Sequence, residues 1–187
     1  MIHPRVLPLL PILPLLCLSA CQRPVAKTLP TLAAGQAFVA FERDFEDFRN
    51  WQRVPVPERV RAQGITHTAG LRREWISAKP AKGSTTFPVG TILVKEIDSG
   101  MPEGHQLFAM VKRGADYNHQ GAKGWEWFEL FERKTGGLGI QWRGINAPVG
   151  ESYGSGDPMG GCNGCHETAV GNDYVKAEAA ALSALRN

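Results

Sequence analysis

Cysteine is scarce in this chain: 4 in 187 residues, at positions 17, 21, 162 and 165. That is too few for a disulfide-dense scaffold. A bias of charge is missing too. Lys and Arg number 21 and Asp and Glu 18, a formal charge of +3 with no basic run, which excludes a nucleic-acid partner. No apolar run is long enough to span a bilayer; the apolar stretch at 6–18 is broken by Pro8, Pro11 and Pro14. No internal repeat is visible, so a solenoid is excluded. Past His166 there is neither methionine nor histidine.

What is present at the start reads as an address. Residues 1–20 have the form of a lipoprotein signal peptide, with Arg5 its only charge. Leu18-Ser19-Ala20-Cys21 matches the bacterial lipobox, so cleavage before Cys21 and acylation of its thiol are expected. Plain secretion, with Cys21 unmodified, is the alternative. Two or more acyl chains would anchor the protein to a membrane on the periplasmic side. Residue 22 is Gln rather than Asp, so the inner-membrane retention signal is absent and the outer membrane is favoured. Residues 21–35, rich in Pro, Ala and Thr, read as the lipidated Cys and a tether. Residues 36–187 then form one domain with a real core.

The densest chemical signal is Cys162-Asn163-Gly164-Cys165-His166. Cys-x-x-Cys-His is the attachment pattern of haem c, one per chain here. Both thiols add to the vinyl groups, and the adjacent imidazole supplies the proximal iron ligand. A zinc site wants four ligands, and His67, His105 and His119 show no ligand-like pairing. A thioredoxin-type pair belongs at a strand-to-helix junction, whereas 150–161 is a glycine-rich loop. Export agrees with the motif, because bacteria attach haem c outside the cytoplasmic membrane. Cys17 leaves with the leader, so no structural disulfide remains to be made.

The fold class reads as α+β, mainly an antiparallel β-sheet. Phe38, Phe41, Phe45 and Phe48 recur at helical spacing, which predicts an N-terminal amphipathic helix over 36–51. Strands are predicted over 71–77, 91–98, 106–113, 124–133 and 138–143, with Gly136-Gly137 turning the last pair into a hairpin. An Ala-rich C-terminal helix is predicted over 173–185, after the haem-binding loop, with Val175, Leu182 and Leu185 turned inward. This order separates the chain from small electron carriers, whose motif stands near the front with an axial Met downstream. It also differs from the four-helix cytochromes c′, which read helical throughout.

The chain resembles the cytochrome P-460 / cytochrome c′-β family over nearly all of the mature region. The resemblance rests on Phe87-Pro88-Val89-Gly90-Thr91-Ile92-Leu93-Val94-Lys95-Glu96, on Leu107-Phe108-Ala109-Met110-Val111-Lys112-Arg113, on Gly124-Trp125-Glu126-Trp127-Phe128, and on the closing motif. It implies a homodimer of antiparallel β structure whose haem is five-coordinate or weakly capped and binds nitric oxide or hydroxylamine. Members that oxidise hydroxylamine carry a bond from a strand lysine to the haem edge, and Lys95 occupies that position. Strand alternation puts Lys95 on one face with Leu93 and Ile97, and a buried lysine loses its charge readily. An exposed ammonium on a packed stem is the plainer alternative. The family's catalytic members also carry a carboxylate ahead of the motif, for which Glu151 is the candidate base. Phe87 and Phe41 are candidate aromatic caps, and Arg143 a candidate partner for a haem propionate.

These readings lead to one expectation and two alternatives. The expectation is a membrane-anchored, periplasm-facing haem protein, with His166 on iron and a small nitrogen-oxide ligand opposite. Hydroxylamine oxidoreductase-type activity would additionally need Lys95, Glu151 and an external electron acceptor. One alternative is an electron-transfer cytochrome whose sixth position is closed by His67, Met101 or another upstream side chain. The other is a gas sensor or scavenger without turnover.

Overall fold

The computed structural model describes residues 24–33, 35–56, 59–60, 69–148 and 161–177. The leader, Cys21, His67, Glu151 and the tail beyond 177 lie outside the described residues. One antiparallel sheet dominates, built from β1 (Gln52–Val54), β2 (Arg59–Val60), β3 (Gly70–Ile76), β4 (Ile92–Asp98), β5 (Gln106–Lys112), β6 (Trp125–Glu132) and β7 (Leu138–Gly144). The spatial order is β1-β3-β4-β5-β6-β7, with β2 also paired to β3. Pro55 follows β1 directly, where a residue without an N–H cannot extend the ladder. β3 to β7 coincide with the five predicted strands to within a residue or two, and Gly136 and Gly137 turn β6 into β7 at φ 90° and 79°.

The central strands are buried on both faces, which is why Ile92-Leu93-Val94 and Leu107 to Val111 read as continuous apolar runs. Cross-strand partners share a face, so the register sorts the side chains. On the first face Glu74, Lys95, Phe108, Glu129 and Trp142 follow one another across β3 to β7. Leu93, Met110 and Trp127 form the neighbouring row. The short helix α1 (Gly161–Glu167) and residues 173–177 belong to this side, with Tyr174, Val175 and Ala177 joining its apolar cluster. The second face carries Trp75, Val94, Ala109 and Phe128, and is covered by Phe45, Phe48 and Trp51.

The phenylalanine segment is not the continuous helix expected over 36–51. It makes two 3₁₀ turns, Glu42–Asp44 and Phe48–Asn50, after an extended entry in which Phe38 N–H donates to Arg113 O at 2.8 Å. An α-helix would give the Asp44 carbonyl to Phe48 N–H. Here Phe48 N–H donates to Phe45 O, and Lys27 Nζ donates to Asp44 O at 2.9 Å. Packing explains the switch. Phe45 tilts onto Phe128 at 5.1 Å and Phe48 meets Trp75 edge-on at 5.0 Å, while Phe41 is left 48% exposed. Two rings against the sheet outweigh a helix whose stripe the sheet does not follow.

Part of the stretch read as tether is docked as well. Val25 N–H donates to Asn50 O and Lys27 N–H to Ser77 O, at 2.9 and 3.0 Å, and Lys27 pairs with Asp44 at 2.7 Å. Gly90 admits this segment: at φ 92°, an added Cβ would stand 2.9 Å from the Pro30 ring.

On the second face Glu96 is a charged hub. It takes Arg49 at 2.6 Å, His105 at 3.1 Å and Arg73 at 3.5 Å. Burial pushes its carboxyl up, but the hydrogen bonds from Arg49 and His105 prevail and hold it below its ordinary 4.5. Folded Glu96 therefore sheds its proton more readily than the unfolded chain does. Its stabilisation is present above pH 4.5 and is lost as pH falls through the lowered value. Glu96→Gln should cost about 1–3 kcal/mol at neutral pH. Urea midpoints should show the gap from wild type closing as the pH drops below the carboxylate range.

Candidate functional site

The first face holds a cavity of about 240 Å³ between the sheet and α1. Its walls include Leu93, Lys95, Phe108, Met110 and Trp127 from the strands and Cys162, Cys165 and His166 from α1. The structure thus brings Lys95 to the motif from β4, far away in sequence. Neither thiol is in a disulfide among the described residues, and both are half-buried.

His166 is strongly conditioned by its surroundings. Its Nδ1 lies 2.6 Å from Tyr174 O, and a carbonyl only accepts, so Nδ1 carries the proton. Nε2 therefore carries the lone pair. Burial drives the imidazole down to about 3; the Tyr174 carbonyl opposes this, and the Lys95 and Lys176 ammonium groups add to it. The ring is therefore neutral at physiological pH, the form that ligates a metal. Trp127 packs against it with ring centroids 4.6 Å apart.

Lys95 is similarly perturbed. Burial lowers it, the carboxylate of Glu74 and the thiols of Cys162 and Cys165 oppose the shift, and Arg72 reinforces it. Its Nζ stands 5.6 Å from the Phe108 ring centre. Arg72 also lines the cavity. Its Nε is buried with no hydrogen bond among the described residues and forms an ion pair with Glu74 Oε1 at 3.5 Å. A largely apolar slot with two thiols, one neutral imidazole and the cations Arg72, Lys95 and Lys176 at its walls suits a flat macrocycle with acidic substituents, with Glu74 the one carboxylate among the lining residues.

Asn163, a spacer position of the motif, fastens α1 to the sheet. Its Oδ1 accepts from Asn118 Nδ2 at 2.8 Å, Trp127 Nε1 at 2.9 Å and Ala122 N–H at 3.2 Å. Its Nδ2 donates to Ile145 O at 3.2 Å. The attachment turn is therefore held before any cofactor is considered. Nothing local in the sequence marks this role, because every partner comes from elsewhere in the chain.

Three sequence expectations do not meet the cavity. Arg143 lies on the second face, bidentate to Glu126 at 2.8 Å and donating to Ala40 O at 2.6 Å, so it is not positioned for a propionate on the first face. A β-bulge causes this. Glu129 pairs with Trp142 but Leu130 with Ile140, leaving Gln141 over, so Trp142 turns to the first face and Arg143 to the second. Phe41 is exposed under the Arg43 guanidinium, and Phe87 packs on Trp125 at 5.8 Å in the core. The first-face aromatics at the cavity are Phe108 and Trp127, brought there by register, and Phe128 of the second face also lines it. Met101, a candidate sixth ligand, is 57% exposed.

The predicted tail helix does not begin at 173. Asp173 and Tyr174 have φ of 53° and 66°, which a right-handed helix cannot contain, and 175–177 are irregular. Val175 does turn inward, at 2% exposure. No family model matches the chain, and neither a curated protein nor a solved structure matches it.

Proposed function

We propose that this chain is a haem c protein of the cytochrome P-460 / c′-β kind, exported and lipid-anchored through Cys21. Cys162 and Cys165 would hold the group, and His166 Nε2 would be its protein ligand to iron. The observation that carries the reading is the meeting of both thiols, a neutral imidazole and a desolvated lysine on one apolar cavity. When bound, haem supplies a metal site for nitric oxide or hydroxylamine and a route for electrons to an external carrier.

The chain's own groups do the rest. Tyr174 O fixes the tautomer of His166. Phe108, Leu93 and Met110 would give the group an apolar wall. Arg72 and Lys176, both at the cavity, are cations suited to an acidic substituent, the role Arg143 does not fill. Lys95, biased toward the neutral amine by burial, would be the amine available for a C–N bond in place of a C–H bond at the haem edge, with two electrons passing to the external acceptor and two protons released. Glu151 remains the candidate base on the sequence resemblance, and a homodimer remains the assembly it implies.

Mass spectrometry of the haem-bearing peptides tests this. A peptide of Cys162 to His166 carrying haem is expected, with a second peptide containing Lys95 linked to it. Lys95→Leu should remove the second peptide and return the spectrum to that of ordinary haem c. An unchanged spectrum and peptide map would sink the Lys95 assignment and favour gas binding over oxidation.

A further inference from the structure

His166 owes its orientation to one backbone carbonyl, and that carbonyl stands in an unfavourable place. Tyr174 and Asp173 are consecutive residues in the left-handed region, at φ 66° and 53°. Asp tolerates that conformation and Tyr does so rarely. Such backbone persists only where the surroundings over-determine it.

The surroundings do so through Asp173, which is 8% exposed. Its Oδ2 accepts from Phe87 N–H at 2.9 Å, its Oδ1 from Lys112 Nζ at 2.7 Å, and its carbonyl from Trp125 Nε1 at 2.8 Å. Lys112 is 9% exposed, also donates to Lys123 O at 3.1 Å, and lies 4.9 Å from the centre of the Trp125 ring. Three strands or their flanks thus converge on one residue that does not itself touch the cavity.

We infer that Asp173, clamped by Lys112, Phe87 N–H and Trp125, is the positioning residue that aims the Tyr174 carbonyl at His166 Nδ1. The clamp fixes the ring's tautomer and rotation and raises the donor strength of Nε2. This rests on the reading of His166 as the proximal ligand.

Two measurements on Asp173→Asn test it. In the isotopically labelled chain without haem, ¹⁵N NMR should show His166 as the Nδ1–H tautomer in wild type. The variant, whose uncharged amide has one acceptor oxygen for the two donors Phe87 N–H and Lys112 Nζ, should show both tautomers. In the haem-loaded chain, resonance Raman should show the iron–histidine band move to lower frequency. Lys112→Met, which leaves Phe87 N–H on the carboxylate, should give the same changes in smaller degree and covers a failure of the first variant to fold. An unaltered tautomer and band in a folded variant would overturn the inference. A wild type that never takes up haem refutes the proposed function, while the NMR comparison still decides the role of Asp173.

Discussion

The variant Cys162→Ser, Cys165→Ser, made in a host competent for cytochrome maturation, is expected to carry no covalent haem. Acid–acetone should extract all the pigment, and no haem-bearing peptide should survive digestion. The reason is chemical: serine oxygen does not form the thioether, and no other described cysteine is available to replace it. The fold should be nearly untouched. Both thiols are half-buried and the turn that bears them is fastened by Asn163, not by sulfur. Far-ultraviolet circular dichroism should therefore match wild type. Either single variant should keep one thioether. Covalent haem in the double variant would end the reading of the motif.

The second large effect falls on stability. Trp125 is fully buried at the junction of the strands and the site. It packs edge-on to Phe87 with centroids 5.8 Å apart and gives its Nε1–H to Asp173 O. Trp125→Ala should cost about 3–5 kcal/mol for the lost ring and its cavity. Leaving the Asp173 carbonyl buried without its donor adds to this, by about 1–3 kcal/mol if the site does not relax. Trp125→Phe keeps most of the ring and isolates the second cost. Denaturant midpoints at unchanged slope would measure both. A loss for Trp125→Ala no larger than that of a surface substitution would show that this ring is not a keystone of the first-face core.

The two effects meet at 173–177, where core packing and site geometry depend on one segment. A tryptophan and a lysine from the sheet hold Asp173, and Asp173 holds the backbone that faces His166. The strain at Tyr174 is offset by that core, so stability and imidazole orientation cannot be altered independently here.

Much was legible in the residues themselves. The motif at 162–166 needs only its own spacing. The five long strands were legible because an apolar run or a period-two pattern bounded by turn residues is a local signal. Lys95 could be assigned to a face with Leu93 for the same reason. The tertiary structure decided what depends on distant partners. It turned the phenylalanine stripe into 3₁₀ turns, because Phe128 and Trp75 offered more contact than a lone helix could keep. It turned Arg143 away through one extra residue in β7. It brought Phe108 and Trp127 to the cavity by register. It replaced the start of the tail helix by two left-handed residues, because the carboxylate at 173 found a cation in the sheet and the carbonyl at 173 an indole. Alternation and spacing are written along the chain, whereas register, bulges and long-range hydrogen bonds exist only once strands have paired.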